Sequence, residues 1–256
     1  VNPEWEPYIL QAIEAGMDIA SGLHRRLDEI ASIKTAAEKY GVTLHDVRHG
    51  YTDLKTGNGV KRTGKRILSV GTDCSVGKMF TTLAIAEEMK KQGFDADFKA
   101  TGQTGVMIVG SGICIDAVVA DFISGGIEEL SPDNAADHWD IIEGQGSLFN
   151  PAFAGVSLGL LHGSQADIIV MCHEANREHI KGLPHMAVPD IEDCINLNLK
   201  CASLTNPDVK LGGISLNCRN LSAGEGARQR AELEAKFGVP CFDPMITGAK
   251  SFVEAL

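Results

Sequence analysis

The sequence predicts an α/β protein, with a mostly parallel, doubly wound sheet preceded by the remnant of a small Rossmann-like unit. Three observations predict it. From residue 65 onward, short apolar runs alternate with helical patterns, the rhythm of βα units. Those runs are continuously apolar, as strands are when helices cover both faces of a parallel sheet. The first of them, residues 67–70, enters a loop bounded by Gly71 and Gly77, and Lys78 then opens a helical pattern.

Composition bounds the rest. The 256 residues suffice for one large α/β domain and part of another. A hydrophobic fraction of 44% supports a sizeable core and argues against disorder. A net charge of −11 argues against nonspecific binding to nucleic acid or anionic membranes. It leaves room for a small anion in a local basic pocket. Seven cysteines without a CxxC pair fit reduced thiols rather than a disulfide framework or zinc site, so no metal is expected. No charged-then-apolar signal pattern and no run of about 18 apolar residues is read, and the expected location is the cytoplasm.

In chain order, residues 3–16 read as a helix with Ile9, Leu10 and Ile13 on one face. Residues 17–20 read as a short strand, 27–40 as a helix and 42–47 as a strand. These are expected to be too few for a core of their own: either the tail of a Rossmann-like domain that begins before Val1, or a segment packed on the main domain. Gly50, Gly57, Gly59 and Gly64 among polar residues mark 49–64 as a linker, so the expected division is 1–60 and 61–256. His24 and His49 read as turn residues. In the larger part, strands are expected at 67–71, 96–100, 139–142, 168–172, 213–216 and 239–242. Helices are expected at 115–122, 151–161, 189–199 and 223–237. Ligands of such sheets bind outside the carboxyl ends of the strands. The residues standing there are Asp73, Lys78, Lys99, Gln103, Glu143, Gln145, His173, Glu174, Asn217 and Arg219.

The loop reads Gly71-Thr72-Asp73-Cys74-Ser75-Val76-Gly77-Lys78-Met79. Glycines let the backbone turn its N–H groups toward an anion, and the helix start and Lys78 add positive charge. It is a phosphate loop of P-loop NTPase type with two departures. Five residues separate the glycines where the standard motif has four, a spacing similar to that of dethiobiotin synthetase. Met79 stands where a Ser or Thr hydroxyl ordinarily meets Mg²⁺, which favours phosphate binding over ATP hydrolysis; Thr81 and Thr82 are possible substitutes.

Six segments in order carry a resemblance. They are the loop itself, Ala100-Thr101-Gly102-Gln103-Thr104-Gly105, Asp116-Ala117-Val118-Val119-Ala120-Asp121-Phe122, Glu143-Gly144-Gln145-Gly146-Ser147-Leu148, residues 155–164, and Val170-Met171-Cys172-His173-Glu174. Together they resemble the D-glutamate N-acetyltransferase family, from about residue 15 to the C-terminus. The resemblance implies a Rossmann-like domain before the phosphate-loop domain and transfer of acetyl from acetyl-CoA to the amine of D-glutamate. A small amino-acid substrate and a homo-oligomer are expected. The alternative is an ATP- and Mg²⁺-dependent kinase or ligase of dethiobiotin synthetase type.

Acetyl transfer needs a base, because an ammonium group is not a nucleophile. Glu143 is the first candidate, in a strand expected beside the first, with His173 and Glu174 as rivals. Gln103, Gln145, Lys99, Arg177 and Arg219 are candidates for the substrate, since guanidinium groups grip carboxylates in bidentate fashion. Asp116 is a weaker candidate and Asp121 a solvated one. Cys74, in the loop, is expected to have a depressed thiol pKa, and an acetyl-cysteine intermediate is the least favoured option.

Overall fold

The computed structural model describes residues 2–51 and 53–256. The first part is built from α1 (Glu6–Glu14), β1 (Ile19–Ser21), α2 (Ala31–Tyr40) and β2 (Leu44–Asp46). β1 and β2 pair in parallel, Ile19 opposite Leu44. Ile13, Leu27 and Ile33 are buried together, with Ile9, Leu10 and Leu44 packed around them. The expectation that these elements cannot close a core is therefore corrected. Two helices lay their apolar stripes on one short sheet, and each fully buried Ile or Leu contributes about 1.5–3 kcal/mol. The helix expected from residue 27 begins later, after a 3-10 turn at Leu27–Glu29 and an extended Ile30.

The described residues of 47–64 lie in no helix or strand, and they are fastened to the domain that follows. The Tyr51 hydroxyl donates to the Gly112 carbonyl at 2.9 Å. The Glu128 carboxylate accepts the N–H groups of Asn58 and Gly59, each at 2.9 Å. Gly125 permits this close approach: a Cβ there would stand 1.8 Å from the Lys55 carbonyl oxygen.

The larger part continues with β3 (Lys65–Gly71), α3 (Lys78–Lys91), β4 (Ala96–Lys99), α4 (Gln103–Val109), α5 (Ile123–Leu130), β5 (Trp139–Ile142) and α6 (Ala154–Ser164). Then come β6 (Ile168–Glu174), β7 (His179–Ile180), β8 (Leu183–Ala187), α7 (Ile191–Ala202), β9 (Lys210–Asn217), α8 (Ala223–Phe237), β10 (Cys241–Phe242) and α9 (Lys250–Val253). Six strands form one sheet in the order β10-β9-β6-β3-β5-β4, and every neighbouring pair is parallel. β3 lies between β5 and β6. The connection leaving β3 runs to one side of the sheet, to β4, and that leaving β6 to the other, to β9, so the phosphate loop stands at a topological switch point.

The continuous apolar runs have the predicted cause. On one face, Ile67, Ile141 and Val170 pack against Ile85 and Met89 of α3 and Phe252 of α9. On the other, Leu68, Ile142 and Met171 pack against Ile127, Leu160 and Ile195 of α5, α6 and α7. α8 starts on a capping box in which Ser222 and Glu225 satisfy each other's backbone N–H groups.

Three elements differ from expectation. Residues 115–122 make two 3-10 turns rather than a helix, and α5 starts only at Ile123. The segment is tied to the end of β4 by the Ile113 and Ile115 N–H groups, which donate to the Ala100 and Thr101 carbonyls. α4 and the antiparallel β7–β8 hairpin are additional to the elements expected from the sequence. α4 carries Gly105 and two valines, a composition of low helix propensity, and holds through the burial of Val106. Among the described residues no helix is long and apolar enough to cross a membrane.

Candidate active site

The loop after β3 is held from behind. Asp73 is fully buried. Its carboxylate accepts from Asn150 Nδ2 at 3.0 Å, Arg177 Nη1 at 2.9 Å and the Lys181 N–H at 2.6 Å. Burial pushes this carboxyl up, but the Lys181 and Asn150 hydrogen bonds, with those from Cys74 and Arg177, outweigh it and hold it below the usual range. Arg177 also donates to the Cys74 carbonyl at 2.7 Å and to Glu174 Oε2 at 2.7 Å. Its guanidinium is thereby occupied by the loop and by Glu174.

Lys78 opens α3 and is buried. Its ammonium donates to the Asp73 carbonyl at 2.9 Å and to the Gly146 carbonyl at 2.8 Å, so it bridges the loop and the segment after β5. Burial lowers its pKa. Cys74 departs from the sequence expectation: burial raises its thiol pKa despite Lys78 nearby. Cys172, behind the loop, is pushed up to about 11 for the same reason. Both are poor thiolates. The hydroxyls of Thr81 and Thr82 are buried, donating to Gly77 O at 3.0 Å and Lys78 O at 2.6 Å, so neither substitutes for the missing hydroxyl at Met79.

Glu143 follows β5 directly, and β5 does lie beside β3, with Leu68 opposite Ile142. The chain then passes so close over β3 that a Cβ on Gly144 would stand 1.7 Å from the Ser69 carbonyl oxygen. Glu143 is buried, and its Oε2 accepts from the N–H groups of Thr101 at 3.0 Å and Gly102 at 3.2 Å. Burial raises its pKa against these hydrogen bonds, the Gln145 side chain and Lys78. A carboxylate with a raised pKa in a cleft is suited to taking a proton.

The two rival bases are engaged elsewhere. His173 Nδ1 pairs with the Thr72 hydroxyl at 2.9 Å, and burial followed by the charge of Arg177 lowers its pKa. Glu174 is held by Arg177, by Arg219 at 2.6 Å and by Asn220 at 3.3 Å.

A cleft of about 820 Å³ opens in front of the loop. Of the sequence candidates, it gathers Cys74, Ser75, Gly77, Lys78, Met79, Gln103, Glu143, Gln145, Asn217 and Arg219. Gly71, Thr72, Asp73, Val76, Lys99, His173, Glu174 and Arg177 do not line it. Lys99 is turned toward Asp140 Oδ1 at 3.2 Å, where a buried carboxylate shared with Ser131 and His138 captures its ammonium. Arg219 reaches the rim, and Lys181 and Gly182 of the β7–β8 hairpin join it there.

At the far end the sequence offers Asp116 as a weaker candidate and His24 as a turn residue, and it does not single out Arg48. His24, Arg48 and Asp116 line the same cleft, and Arg48 forms an ion pair with Asp116. His24 follows β1 and Arg48 follows β2, so the small sheet also delivers residues from its carboxyl ends. That signal was present in the sequence and was applied only to the larger sheet.

Parallel topology, the glycine loop with Lys78 and the cleft at the strand ends define a P-loop α/β protein whose site is shared with a small N-terminal unit. Comparison with known proteins places the chain more narrowly. Residues 54–253 match the P-loop domain of the domain-of-unknown-function family DUF1611, and residues 1–50 match its Rossmann-like N-terminal domain. The chain belongs to this family. It is 54% identical over 256 residues to a D-glutamate N-acetyltransferase from Pseudoalteromonas sp, covering 77% of that protein. It is 47% identical to one from Tritonibacter scottomollicae, again over 77% of its length. A crystal structure of a DUF1611 family protein from Anabaena variabilis matches the whole chain with a TM-score of 0.92 at 33% identity, covering 75% of that structure.

Proposed function

We propose that this protein is a cytoplasmic N-acetyltransferase that moves acetyl from acetyl-CoA to the amine of D-glutamate. The observation that carries the reading is Glu143, a buried carboxylate of raised pKa, a short way from the phosphate-loop lysine in one cleft. The activity printed for the two relatives supports it. The domain boundary we infer lies near residue 60, with both parts contributing to the site.

The residue roles follow from the chemistry. Lys78 and the loop N–H groups hold phosphates of the donor by charge and hydrogen bonding. Met79 and Phe80 give the cleft an apolar lip. The acceptor arrives as an ammonium ion. Glu143 takes a proton from it, leaving a lone pair to attack the thioester carbonyl carbon. The C–N bond forms, and the C–S bond breaks with its electron pair leaving on sulfur. The departing thiolate takes the second proton from nitrogen, so the products are the amide and the CoA thiol while Glu143 gives its proton to solvent. A thioester donor needs no metal at its phosphates, consistent with Met79 in place of a hydroxyl and with the commitment of Thr81 and Thr82 to backbone carbonyls. No observation favours the ATP-dependent alternative over this.

The test is calorimetry with acetyl-CoA and with Mg-ATP, followed by an assay of CoA release with D-glutamate. Binding of acetyl-CoA and release of CoA dependent on D-glutamate are expected. Binding of Mg-ATP alone, with ADP formed on adding a carboxylate, would replace this reading with the alternative.

A further inference from the structure

We propose that Arg48, brought to the cleft by the N-terminal unit, grips the side-chain carboxylate of the amino-acid acceptor and so sets its specificity. The proposal rests on the amino-acid reading above.

The Arg48 side chain is only 5% exposed, yet among the described residues its guanidinium donates to Asp116 alone. A guanidinium has five N–H donors, and burying one in water-poor surroundings is costly unless they are used. None of its nitrogens is among the buried side-chain atoms left without a partner. Among the described residues the other donors of the fork have no partner, and Arg48 lines the cleft. The half-buried Arg177 beside the loop is occupied by the loop and Glu174, and the buried Arg66, at the opposite end of β3, by Ser131 and backbone carbonyls. Asp116 can orient one edge of the Arg48 fork and leave the other free for a second carboxylate.

The position suits that role. The N-terminal unit is seated on the start of α4, where a Cβ on Gly22 would stand 2.7 Å from Gln103 Cβ. The Ile115 N–H donates to the Thr101 carbonyl at 3.0 Å, and the Thr101 N–H donates to Glu143 Oε2 at 3.0 Å. The segment that carries Asp116 is thus tied to the base through the backbone of Thr101. In glutamate the amine and α-carboxylate share a carbon, whereas the side-chain carboxylate lies on the order of 4–5 Å further out by ordinary bond lengths. With the amine at Glu143, the outer carboxylate is the group that extends away from the base, and we assign it to Arg48 in the same cleft. The cations Lys181 and Arg219 line the cleft too, but they stand at the loop mouth, Lys181 on Ser75 Oγ at 2.7 Å, where they suit donor phosphates. A site built to hydrogen-bond one polar group discriminates strongly against an analogue lacking it.

The experiment is calorimetry of D-glutamate and D-glutamine with the wild-type protein, Arg48→Gln and Arg48→Lys. D-Glutamine keeps the amine and α-carboxylate and lacks only the outer charge. Wild type is expected to prefer D-glutamate by about 30-fold or more, the range of a charged hydrogen-bond pair. Arg48→Gln should remove that preference while D-glutamine affinity stays within about threefold. Arg48→Lys keeps the charge opposite Asp116 and the fold but loses the fork, and should retain only part of the preference. If Arg48→Gln fails to fold by thermal melting, the lysine variant decides. Equal loss of both amino acids, or no loss of either, makes Arg48–Asp116 a clasp between the two units and overturns the assignment. D-Glutamate bound through Arg48 without CoA release overturns the proposed activity and leaves the assignment standing.

Discussion

The two ends of the cleft are built in opposite ways. At the phosphate loop, the protein satisfies its own polar groups: Asp73 is held by Asn150, Arg177 and the Lys181 and Cys74 backbone, Arg177 bridges Asp73 and Glu174, and Lys78 bonds two carbonyls. At the far end, Arg48 has one partner among the described residues and sits where a second can enter. The first arrangement holds a backbone loop in one shape before any ligand arrives, so little ordering is left to be done on binding. The second leaves hydrogen-bonding capacity for a ligand to complete. Glu143 stands between them, fastened by one oxygen to the Thr101–Gly102 turn and pushed up in pKa by burial.

Breaking the loop end should have the largest effect. Lys78→Ala removes the buried charge of the loop and should weaken acetyl-CoA binding beyond detection by calorimetry; unchanged affinity would show that the donor binds elsewhere. Next is the middle. Glu143→Gln keeps the hydrogen-bonded shape and removes the base, so kcat should fall by about 10²–10⁴-fold with donor binding retained. Turnover within about threefold of wild type would make Glu143 structural.

The same variant has a signed effect on stability. The folded pKa of Glu143 lies above its ordinary value of 4.5, so the native state binds this proton more tightly than the unfolded chain does. Its contribution is fully present below pH 4.5 and is lost as pH rises through the folded value. Glu143→Gln should therefore raise the melting temperature at neutral pH and not at pH 4. A lower melting temperature at neutral pH would contradict the desolvation account.

Arg177→Met tests whether that arginine supports the loop. It leaves Asp73 and Glu174 short of a buried partner and should cost roughly 3 kcal/mol or more in urea unfolding. A variant of normal stability with impaired amino-acid binding would return Arg177 to the substrate. The smallest effects are expected for Cys74→Ala, whose thiol is held protonated, and for EDTA: turnover should change by less than about threefold in either case. Loss on chelation, restored by Mg²⁺, would favour the ATP-dependent reading.

Much of the sheet was legible because it is local in sequence. β3, β5, β6 and β9 announce themselves as largely apolar runs, and the loop from Gly71 to Lys78 follows from residue types at fixed spacing. Glu143 was legible from its place at a strand end beside two glycines. α4 was not, because Gln103–Val109 is a poor helix by propensity and is held by packing. Nor was the occupation of Arg177 and Lys99, since Asp73 and Asp140, which capture them, lie 104 and 41 residues away in sequence.

By itself the sequence determined the parallel α/β class, the phosphate loop and the candidate base, since each is written in periodicity or in residues a few positions apart. Only the tertiary structure decided which charges are free. Lys99, Glu174 and Arg177 look available at strand ends, yet partners distant in sequence capture them. Arg48 looks unremarkable in a segment that reads as a remnant, yet it meets Asp116 of the larger part at the cleft, across the join between the two units. The physical reason is that charge pairing in a folded chain depends on proximity in space, which a linear pattern does not encode.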